Sequence, residues 1–319
     1  MKLLRFLATL AMLAALSAAA QQYPTKPVKI VVAFTAGGTT DIMARMLAQR
    51  LSERLKQPFV IENRPGAGGN IGTEMVVRAE PDGYTLIVNS VGPMAVNPTL
   101  YKNLSYNPLT DLVPIAQISD VPNVLVVPPS LKVSGMEGFI ALARARPGDL
   151  NYGSTGIGTS SHLSSFMLAS RAGFKAAHIP YKGAEALKDL LTGRLQFMFA
   201  TIPSVIAHIK AGNLVAIAVS STRRSRSLPD VPTVAESGFP GFEAGSWFGL
   251  FAPKGTPQEI ITVLNKGVND FISEKAVETR MIDEGADPVG GPPEKLGAFV
   301  RSEFEKWRTV VRESGASVD

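Results

Sequence analysis

Short apolar segments alternate with longer segments of helical period through most of this chain of 319 residues. The first three short segments are "VKIVVAF", "FVIENR" and "YTLIVNS", which begin at Val28, Phe59 and Tyr84. They are rich in β-branched and aromatic residues and are bounded by Gly, Pro or Asn, as strands are. Between them, apolar residues recur every three or four positions, as on one face of a helix. Because strands that alternate with helices pair in parallel beneath those helices, the pattern predicts an α/β fold.

A second run of the same kind occupies the middle of the chain. Strands are predicted at "NVLVVPP", "LNYGS", "AAHIPY", "LQFMFA" and "LVAIAVS", with helical segments between them, the first from about Ser134 to Arg146. The apolar strand "SWFGLFAPKGTP" follows, and then two helices, about Pro257 to Glu284 and Pro293 to Ser314. This last segment looks too small for a core of its own. We therefore expect it to return to the first α/β unit.

This order predicts two lobes joined by two crossings, near "ISDVPN" and "FEAGSW". Lobe 1 would comprise residues 21–121 and 245–319, and lobe 2 would comprise residues 122–244. A cleft between two α/β lobes is a common place for a small-molecule site. Closure about a hinge is the motion expected of such a protein. Two unrelated domains in tandem are the alternative.

The first residues have the layout of a secretory signal peptide. Lys2 and Arg5 precede an apolar run from Phe6 to Leu16, and small residues follow up to Ala20. The run is shorter than the ~20 apolar residues that a membrane-spanning helix needs. We expect residues 1–20 to be removed by cleavage after Ala20 and the mature protein to be exported. An uncleaved anchor is the alternative.

Composition excludes several classes of function. The chain has no cysteine, so disulfides and thiolate metal sites are excluded. Its formal net charge is +5, and its densest basic run, "STRRSRS" from Ser221 to Ser227, contains only three arginines. Nucleic-acid binding is not expected, because phosphate contacts need basic residues spread over a face or a helix. Nothing in the sequence requires more than a monomer.

An enzyme would need a nucleophile, a base or a set of metal ligands. The three histidines, His162, His178 and His208, form no H-x-x-x-H pair, so no metal site is expected. The serines of "YGSTG" miss the G-x-S-x-G elbow because Tyr152 stands in place of the first glycine. A hydrolase that uses Ser160 and His162 is the remaining enzyme hypothesis, and no orienting acid can be assigned to it. We therefore expect no catalytic residues.

Three glycine-containing turns share one chemistry. "FTAGGTTD" (Phe34 to Asp41), "NRPGAGGNIG" (Asn63 to Gly72) and "YGSTGIGTSSH" (Tyr152 to His162) each follow a predicted strand and open a predicted helix. Free N–H groups at a helix start, with the positive end of the helix dipole, favour an anion. None of the turns is a dinucleotide fingerprint or a P-loop, so no cofactor is expected. Taken singly, each turn is also explained by ordinary helix capping.

Six motifs, in one order, carry a resemblance to a known family. They include "PVKIVVAFTAGGTTDIMARMLA", "VIENRPGAGGNIGT", "LNYGSTGIGTSSHL" and "HIPYKGAEALKDLLTGRLQFMF". Together they resemble the extracytoplasmic solute receptors of tripartite tricarboxylate transporters, often called Bug receptors, over essentially the whole mature chain. The resemblance implies a Venus-flytrap fold and a periplasmic receptor that delivers a small carboxylate to one large and one small membrane subunit. A sensing receptor that feeds a signalling partner is the alternative.

The resemblance also implies which residues bind the ligand. In the family, the loop after the first strand and the facing loop of the second lobe hold the ligand's carboxylate through backbone groups, hydroxyls and bridging waters. Here the first jaw is Phe34 to Thr39, and the second is Ser154 to Thr159 with His162 behind it. Ser90, after the third strand, is a candidate for the wall. The expected ligand-binding residues are Phe34, Thr35, Ala36, Gly37, Gly38, Thr39, Ser90, Ser154, Thr155, Gly156, Thr159, His162 and Ala200.

Two positions depart from the family's pattern. Many relatives have proline at the position of Thr35, and many have an acidic residue at the position of Ala200. The first change adds a hydroxyl to the jaw. The second removes an acid near the cleft and so disfavours a ligand with an amine, unless residue 200 does not touch the ligand. Trp247 and Phe248 pack in the core, pack at the hinge or form an apolar wall of the cleft. An aromatic wall would include Phe34 and would favour an aromatic or long-chain acid.

Overall fold

The computed structural model describes residues 23–314 and residue 318. The predicted signal peptide and its cleavage site after Ala20 lie outside these residues. None of the helices within them has the length and apolarity that a membrane crossing requires. The first α/β unit contains β1 (Val28–Val32), α1 (Thr39–Leu55), β2 (Phe59–Asn63), α2 (Asn70–Val77), β3 (Thr85–Ser90) and the short helix α3 (Asn97–Leu100).

The rest of the chain continues the alternation of strands and helices that the sequence predicts. The second unit contains β4 (Leu112–Val127), α4 (Gly135–Ala145), β5 (Asn151–Ser154), α5 (Ser160–Ala172), β6 (Ala177–Pro180), α6 (Ala186–Leu191), β7 (Met198–Thr201), α7 (Ile202–Lys210) and β8 (Val215–Val219). The final segment contains β9 (Gly245–Pro253), α8 (Gln258–Ser273), α9 (Lys275–Asp283), β10 (Asp287–Pro288) and α10 (Pro293–Ser314).

Lobe 1 is built on a mixed sheet in the order β2-β1-β3-β9-β4-β10. β1 pairs in parallel with β2 and β3, as the sequence pattern predicts. β9 lies antiparallel between β3 and β4, so a strand from late in the chain completes the sheet that the first unit begins. Helix α1 contributes Met43, Leu47 and Leu51, all fully or almost fully buried, to the core on this sheet.

Strand β4 passes from one lobe to the other. Its residues Leu112 to Pro122 pair with β9, whereas Asn123 to Val127 pair with β7 and β8. The sequence predicted a crossing near "ISDVPN" followed by a new strand, but one strand of 16 residues runs through it. Pairing with β9 as far as Pro122 keeps this segment extended. Because β4 changes partners there, we propose that lobe 1 comprises residues 21–121 and 245–319 and lobe 2 residues 122–244.

Lobe 2 repeats the strand order of lobe 1. β7 and β8 flank β4, β5 and β6 pair in parallel, and a bridge between Tyr152 and Phe197 joins β5 to β7. The order β6-β5-β7-β4-β8 therefore matches the order β2-β1-β3-β9-β4 of lobe 1. The antiparallel strand stands fourth in both, as β4 in lobe 2 and β9 in lobe 1. Phe139, Phe174 and Phe197 pack edge to face in its core. Both lobes consequently present the carboxyl ends of their parallel strands to the space between them.

Helices α8 and α9 correct the single helix predicted from about Pro257 to Glu284. Glu274, between them, is extended (φ −67°, ψ 121°), so α8 ends at Ser273 and a new helix begins. The change of direction lets Val277 and Met281 of α9 join the same buried core as Phe271 of α8. Helical periodicity does not reveal such a break, because both segments have a helical pattern on their own.

A buried carboxylate ties the C-terminal helix α10 to strand β9. Glu303 Oε2 accepts the indole N–H of Trp247 at 3.1 Å and that of Trp307 at 2.8 Å. Lys306 Nζ lies 3.3 Å from Oε1 and neutralises the charge. Trp247 is 2% exposed and packs against Phe299, so it belongs to the core, which is one of the three roles that the sequence left open.

Replacing Glu303 should therefore destabilise the fold. Glu303→Ala leaves two buried indole N–H groups without an acceptor, and each should cost about 1–3 kcal/mol of unfolding free energy. Urea unfolding followed by circular dichroism measures the loss. Glu305→Ala, at an exposed position of the same helix, is the matched control and should change stability by no more than about 0.5 kcal/mol. Equal stability of the two variants would contradict this role of Glu303.

Candidate ligand-binding site

The carboxyl ends of β1 and β3 face those of β5 and β7 between the lobes. The loops that follow these strands, with one edge of β9, enclose a cavity of about 50 Å³, which we call the cleft cavity. It is lined by Phe34, Gly38, Thr39, Thr40, Ser90, Val91 and Gly92 of lobe 1, by Thr155, Thr159, Ser160, Gly183, Ala184 and Thr201 of lobe 2, and by Ser246 and Phe248 of β9.

Neutral hydroxyl groups dominate the wall of the cleft cavity. More than half of its lining residues are serine or threonine, and none of those lining residues carries a charge. Phe34, Val91 and Phe248 supply the apolar part of the wall. A hydroxyl can donate one hydrogen bond and accept others, so it can meet an acid or its bound water.

Two long helices begin at the cavity, one from each lobe. The first hydrogen bond of α1 runs from Ile42 N to Gly38 O, and that of α5 runs from Leu163 N to Thr159 O. The N–H groups of the residues between have no partner within their helix. They form the positive ends of two helix dipoles, equivalent to roughly half a charge each. The cavity therefore has anion-binding chemistry on both sides without a charged side chain.

Asp41 organises the first loop instead of facing a ligand. Its carboxylate accepts hydrogen bonds from Gly37 N at 3.0 Å, from Arg45 Nε at 2.9 Å and from Asn63 Nδ2 at 3.0 Å. Asn63 Nδ2 also lies 3.0 Å from Phe34 O. Burial acts to raise the pKa of Asp41, but these hydrogen bonds and the charge of Arg45 outweigh it and leave the pKa below its usual value. The carboxylate is thus neutralised within its own lobe.

Two stacked histidines support the second loop from behind. The rings of His162 and His178 lie 4.0 Å apart and nearly parallel. His162 Nδ1 accepts the N–H of Gly158 at 3.3 Å, and His178 Nε2 lies 2.7 Å from Ser154 Oγ. Since Ser154 Oγ also donates to Gly156 O at 3.1 Å, the His178 N–H donates to this hydroxyl. Burial lowers the pKa of His162 to about 4, and burial with the nearby His162 lowers that of His178 to about 3.

Two hydrogen bonds cross the cleft beside the cavity. Thr39 Oγ1 and Thr201 Oγ1 lie 2.7 Å apart, and Ala184 N donates to Thr35 Oγ1 at 3.1 Å. Gly183 permits the second contact, because a Cβ at this glycine would collide with the Thr35 hydroxyl. These bonds place the two lobes in direct contact beside the cavity.

Glycines also form the lips of the cleft. A Cβ on Gly158 of lobe 2 would overlap Asn97 Oδ1 of lobe 1, and one on Gly68 would lie 2.6 Å from Ile157 O. Gly158 has φ +80° and Gly68 has φ +62°. Glycine is also favoured at both positions because residues with a Cβ rarely adopt positive φ. The lobes can approach this closely only because glycine has no side chain.

Six of the predicted ligand-binding residues line the cleft cavity, namely Phe34, Gly38, Thr39, Ser90, Thr155 and Thr159. Seven lie outside the lining, namely Thr35, Ala36, Gly37, Ser154, Gly156, His162 and Ala200. Ala200 is 1% exposed and packs in the core of lobe 2. Successive side chains on a strand point to opposite faces, so its neighbour Thr201 faces the cavity instead. Residue 200 therefore belongs to the core of lobe 2 and not to the lining of the cavity.

Several residues that line the cleft cavity were not predicted from the sequence. Thr201 is the last residue of β7 and was not predicted, whereas its neighbour Ala200 was predicted from the resemblance. Gly183 and Ala184 lie in a quoted motif, but nothing local shows that their turn reaches the other lobe. Ser246 lines the cavity because β9 returns to the first sheet, which is a tertiary event. Phe248 lines the cavity and also belongs to the buried core of lobe 1, so it fills two of the three roles that the sequence left open.

Ser160 and His162 do not form a nucleophile and base. Ser160 Oγ points to Asn123 Oδ1 at 3.4 Å, whereas His162 Nδ1 accepts the Gly158 N–H and its ring stacks on His178. In the part of the chain that the structure describes, no group of three or more His, Cys, Asp and Glu residues is placed to hold a metal ion.

A larger cavity of about 250 Å³ lies on the other side of the crossing strands, between residues 220–226 and α10. Four of its eight charged lining residues pair with each other: Arg226 with Asp287, and Lys306 with Glu303. It shares only Ser246 with the cleft cavity. Neither the starts of α1 and α5 nor the cross-cleft hydrogen bonds border it. We therefore propose the smaller cavity as the ligand site, because the starts of α1 and α5 and the hydroxyl-rich lining favour an anion there.

Two lobes of matching strand order, two crossing strands and a hydroxyl-lined cavity between them define a two-lobed solute-binding protein. Comparison with known proteins identifies its family. The family model described as tripartite tricarboxylate transporter family receptor matches residues 43–316. The chain belongs to this receptor family, and it is a solute-binding receptor and not an enzyme.

Individual relatives agree with this assignment. Protein BugT of Bordetella pertussis is 42% identical over 315 residues, which is 98% of this chain and 96% of that protein. The structure of R. palustris Rpa4515 with adipate has a TM-score of 0.90 and 39% identity, and covers 92% of this chain and 98% of that one. The structure of MatC from Rhodopseudomonas palustris with bound malate has a TM-score of 0.86 and 33% identity, and covers 91% of this chain and 100% of that one.

The stacked histidines should make stability fall as the pH falls. An unfolded histidine takes up a proton near pH 6.5, whereas His162 and His178 take one up only near pH 4 and 3. From pH 6.5 down to about 4 the unfolded chain binds more protons, so each histidine should remove up to about 1.4 kcal/mol of unfolding free energy per pH unit.

Urea unfolding at several pH values from 7 to 4 measures this slope. His178→Gln removes one titrating group and should flatten the decline. His208→Gln, in the last turn of α7 and outside the stack, is the control for the loss of a histidine elsewhere. Identical slopes for the wild type and His178→Gln would contradict this role of the stack.

Proposed function

We propose that this chain captures a small carboxylate in the cleft cavity and delivers it to the large and small membrane subunits of a tripartite tricarboxylate transporter. The receptor would work in the periplasm as a monomer, after removal of residues 1–20. One observation carries the ligand class: hydroxyls and the starts of α1 and α5 surround a cavity whose lining bears no charge. Such a lining favours an anion through neutral donors and helix dipoles.

The arrangement suits a carboxylate held between the lobes. One oxygen can meet the free N–H groups and hydroxyls at Thr39 and Thr40, and the other can meet those at Thr159 and Ser160. Bridging waters can complete contacts that the side chains do not reach, at little cost in free energy. A ligand held from both sides would favour the closed arrangement, since it contacts both lobes only when they meet.

The ligands of two relatives narrow the proposal to aliphatic dicarboxylates. Adipate and malate, bound in the two R. palustris structures, each carry two carboxylates and no amine. Phe34 and Phe248 offer an apolar surface for the carbon chain of such an acid. An amino acid would bring an ammonium group to a lining without a carboxylate, so we rank it below the plain acid. Tricarboxylates and aromatic acids rank between the two.

Closure about the crossing strands is the motion that we propose for capture. β4 and β9 each continue from one lobe toward the other, and Pro122 and Gly245 are paired at the point of crossing. A sensing role would use the same cavity and the same closure. We favour transport because the matching family model is that of a transporter receptor.

A thermal-shift screen of residues 21–319 tests the ligand class. Adipate, malate, a tricarboxylate, an aromatic acid and the diamide of adipate are compared. An acid at about 100 times its dissociation constant should stabilise the fold by ~2.7 kcal/mol, which is a rise of several degrees. We expect the rise with a dicarboxylate and not with the diamide. No rise with any acid after refolding to remove retained ligand, or an equal rise with the diamide, would refute carboxylate capture.

Two glycine substitutions test closure. Gly158→Ala places a methyl group against Asn97 Oδ1 of the other lobe and should lower ligand affinity at least about tenfold, a loss of 1.4 kcal/mol. Gly148→Ala is the matched control, because Gly148 has a similar φ of +85° and no atom near its Cβ position. It carries the same backbone strain without touching the cleft and should bind normally. Isothermal titration calorimetry compares them, and equal affinities would argue against closure.

A further inference from the structure

The larger cavity of about 250 Å³, on the other side of the crossing strands, has a different chemistry from the cleft, and we call it the rear cavity. Both lobes line it, with residues 220–226 on one side and helix α10 on the other. Its volume approaches the roughly 300 Å³ at which pockets for small molecules begin. Charged side chains of both signs line it, whereas none line the cleft cavity. A ligand of the rear cavity would therefore differ in charge from a ligand of the cleft.

Ion pairs already satisfy most of the charges in the rear cavity. Five of its eight charged lining residues have an ion-pair partner. Within residues 23–314, the other three have none, namely Asp120, Arg223 and Glu243. Arg223 and Glu243 are exposed, so their long side chains can turn toward a ligand. The cavity thus offers a ligand two carboxylates and one guanidinium group.

Asp120 has the least favourable environment of the three. Its Oδ1 accepts a hydrogen bond from Gln117 Nε2 at 2.5 Å. Although solvent reaches Asp120 in the cavity, partial burial and the negative charges of Glu303 and Asp287 raise its pKa to about 6. The charge of Lys295 offsets these effects only in part. A cation bound beside Asp120 would stabilise its ionised carboxylate, because a nearby opposite charge favours the charged form.

Two aromatic side chains supply the apolar part of the same wall. Trp247 and Phe299 line the rear cavity, with their ring centroids 5.4 Å apart in an edge-to-face arrangement. Aromatic rings attract an ammonium group and pack against the methylene groups of a long amine. The rear cavity therefore suits an organic cation with a carbon chain better than an inorganic ion.

We propose that the rear cavity is a second ligand site, which binds a basic amino acid such as lysine. This ligand class carries two cationic groups and one carboxylate, the complement of the three unpaired side chains. The ligand carboxylate pairs with Arg223, its cationic groups pair with Asp120 and Glu243, and its carbon chain lies against the two aromatic rings. The inference does not rest on the proposed function of the cleft, because the two cavities share only Ser246 of their lining residues.

Isothermal titration calorimetry of refolded residues 21–319 with three related probes tests the ligand class. L-lysine carries both cationic groups and the carboxylate, cadaverine lacks the carboxylate, and ε-aminocaproate lacks the α-ammonium group. We expect lysine to bind, and each analogue to bind at least about tenfold more weakly, a loss of 1.4 kcal/mol. A lysine dissociation constant above about 1 mM, or equal affinity for cadaverine, would overturn the proposal.

Two substitutions in the lining test where lysine binds. Asp120→Asn and Arg223→Gln should each lower lysine affinity at least about tenfold, because each removes one charge that the ligand needs. Asp283→Asn and Arg301→Gln are the matched controls, since both residues are exposed and lie outside the lining of the rear cavity. Circular dichroism establishes that all four variants are folded. Wild-type lysine affinity in both Asp120→Asn and Arg223→Gln would refute the site.

Competition with adipate distinguishes the rear cavity from the cleft. Saturating adipate should leave lysine bound, because the two ligands occupy different cavities. Displacement of lysine by adipate, together with normal lysine binding by Asp120→Asn, would place lysine in the cleft and contradict the proposal. If adipate and other acids fail to bind, the proposed function of the cleft fails, while the lysine titrations still decide the role of the rear cavity.

Discussion

The antiparallel pairing of β4 with β9 underlies the whole arrangement. These strands run side by side from Leu112 and Pro253 to Pro122 and Gly245, and beyond that point β4 pairs with strands of lobe 2. Two paired strands resist shear, because sliding would break several backbone hydrogen bonds at once, yet they can bend and twist where the pairing changes. This geometry supports the proposed rotation of one lobe against the other. Glu303, through the indole of Trp247, fastens α10 to the same strand.

The position of the candidate ligand site depends on this pairing of β4 with β9. Because both sheets have the same strand order, each lobe turns the carboxyl ends of its parallel strands toward the other, and each supplies the start of one long helix. Asp41 is paired with Arg45 and Asn63 inside lobe 1, so its charge is not directed at the cavity. Hydroxyls and glycines lie where the two lobes meet. The glycines allow the lobes to approach closely, and the hydroxyls supply hydrogen-bond donors without charge. Such a surface can bind an anion. It can also contact the facing surface of the other lobe directly, as Thr39 contacts Thr201.

Much of this fold could be predicted from the strand and helix pattern. The parallel pairs of β1 with β2 and β3, the break into two α/β units and the return of the final segment were all predicted, because apolar periodicity reports local structure. The continuous strand β4 and the break at Glu274 were not, since partners distant in sequence decide both. At the site, the resemblance predicted Thr39 and Thr159, which line the cleft cavity, and Ala200, which packs in the core because successive side chains of a strand point to opposite faces.

The sequence by itself determined the α/β class, the receptor family and the chemistry of the two jaw loops, because these depend on residue types at neighbouring positions. The tertiary structure decided which of those residues share one cavity. Gly183, Ala184, Ser246 and Phe248 reach the site only through contacts between segments far apart in the chain. The bond of Thr35 to Ala184 is the clearest case, because neither residue carries a local signal of the other, and only the approach of two lobes brings a hydroxyl to an amide.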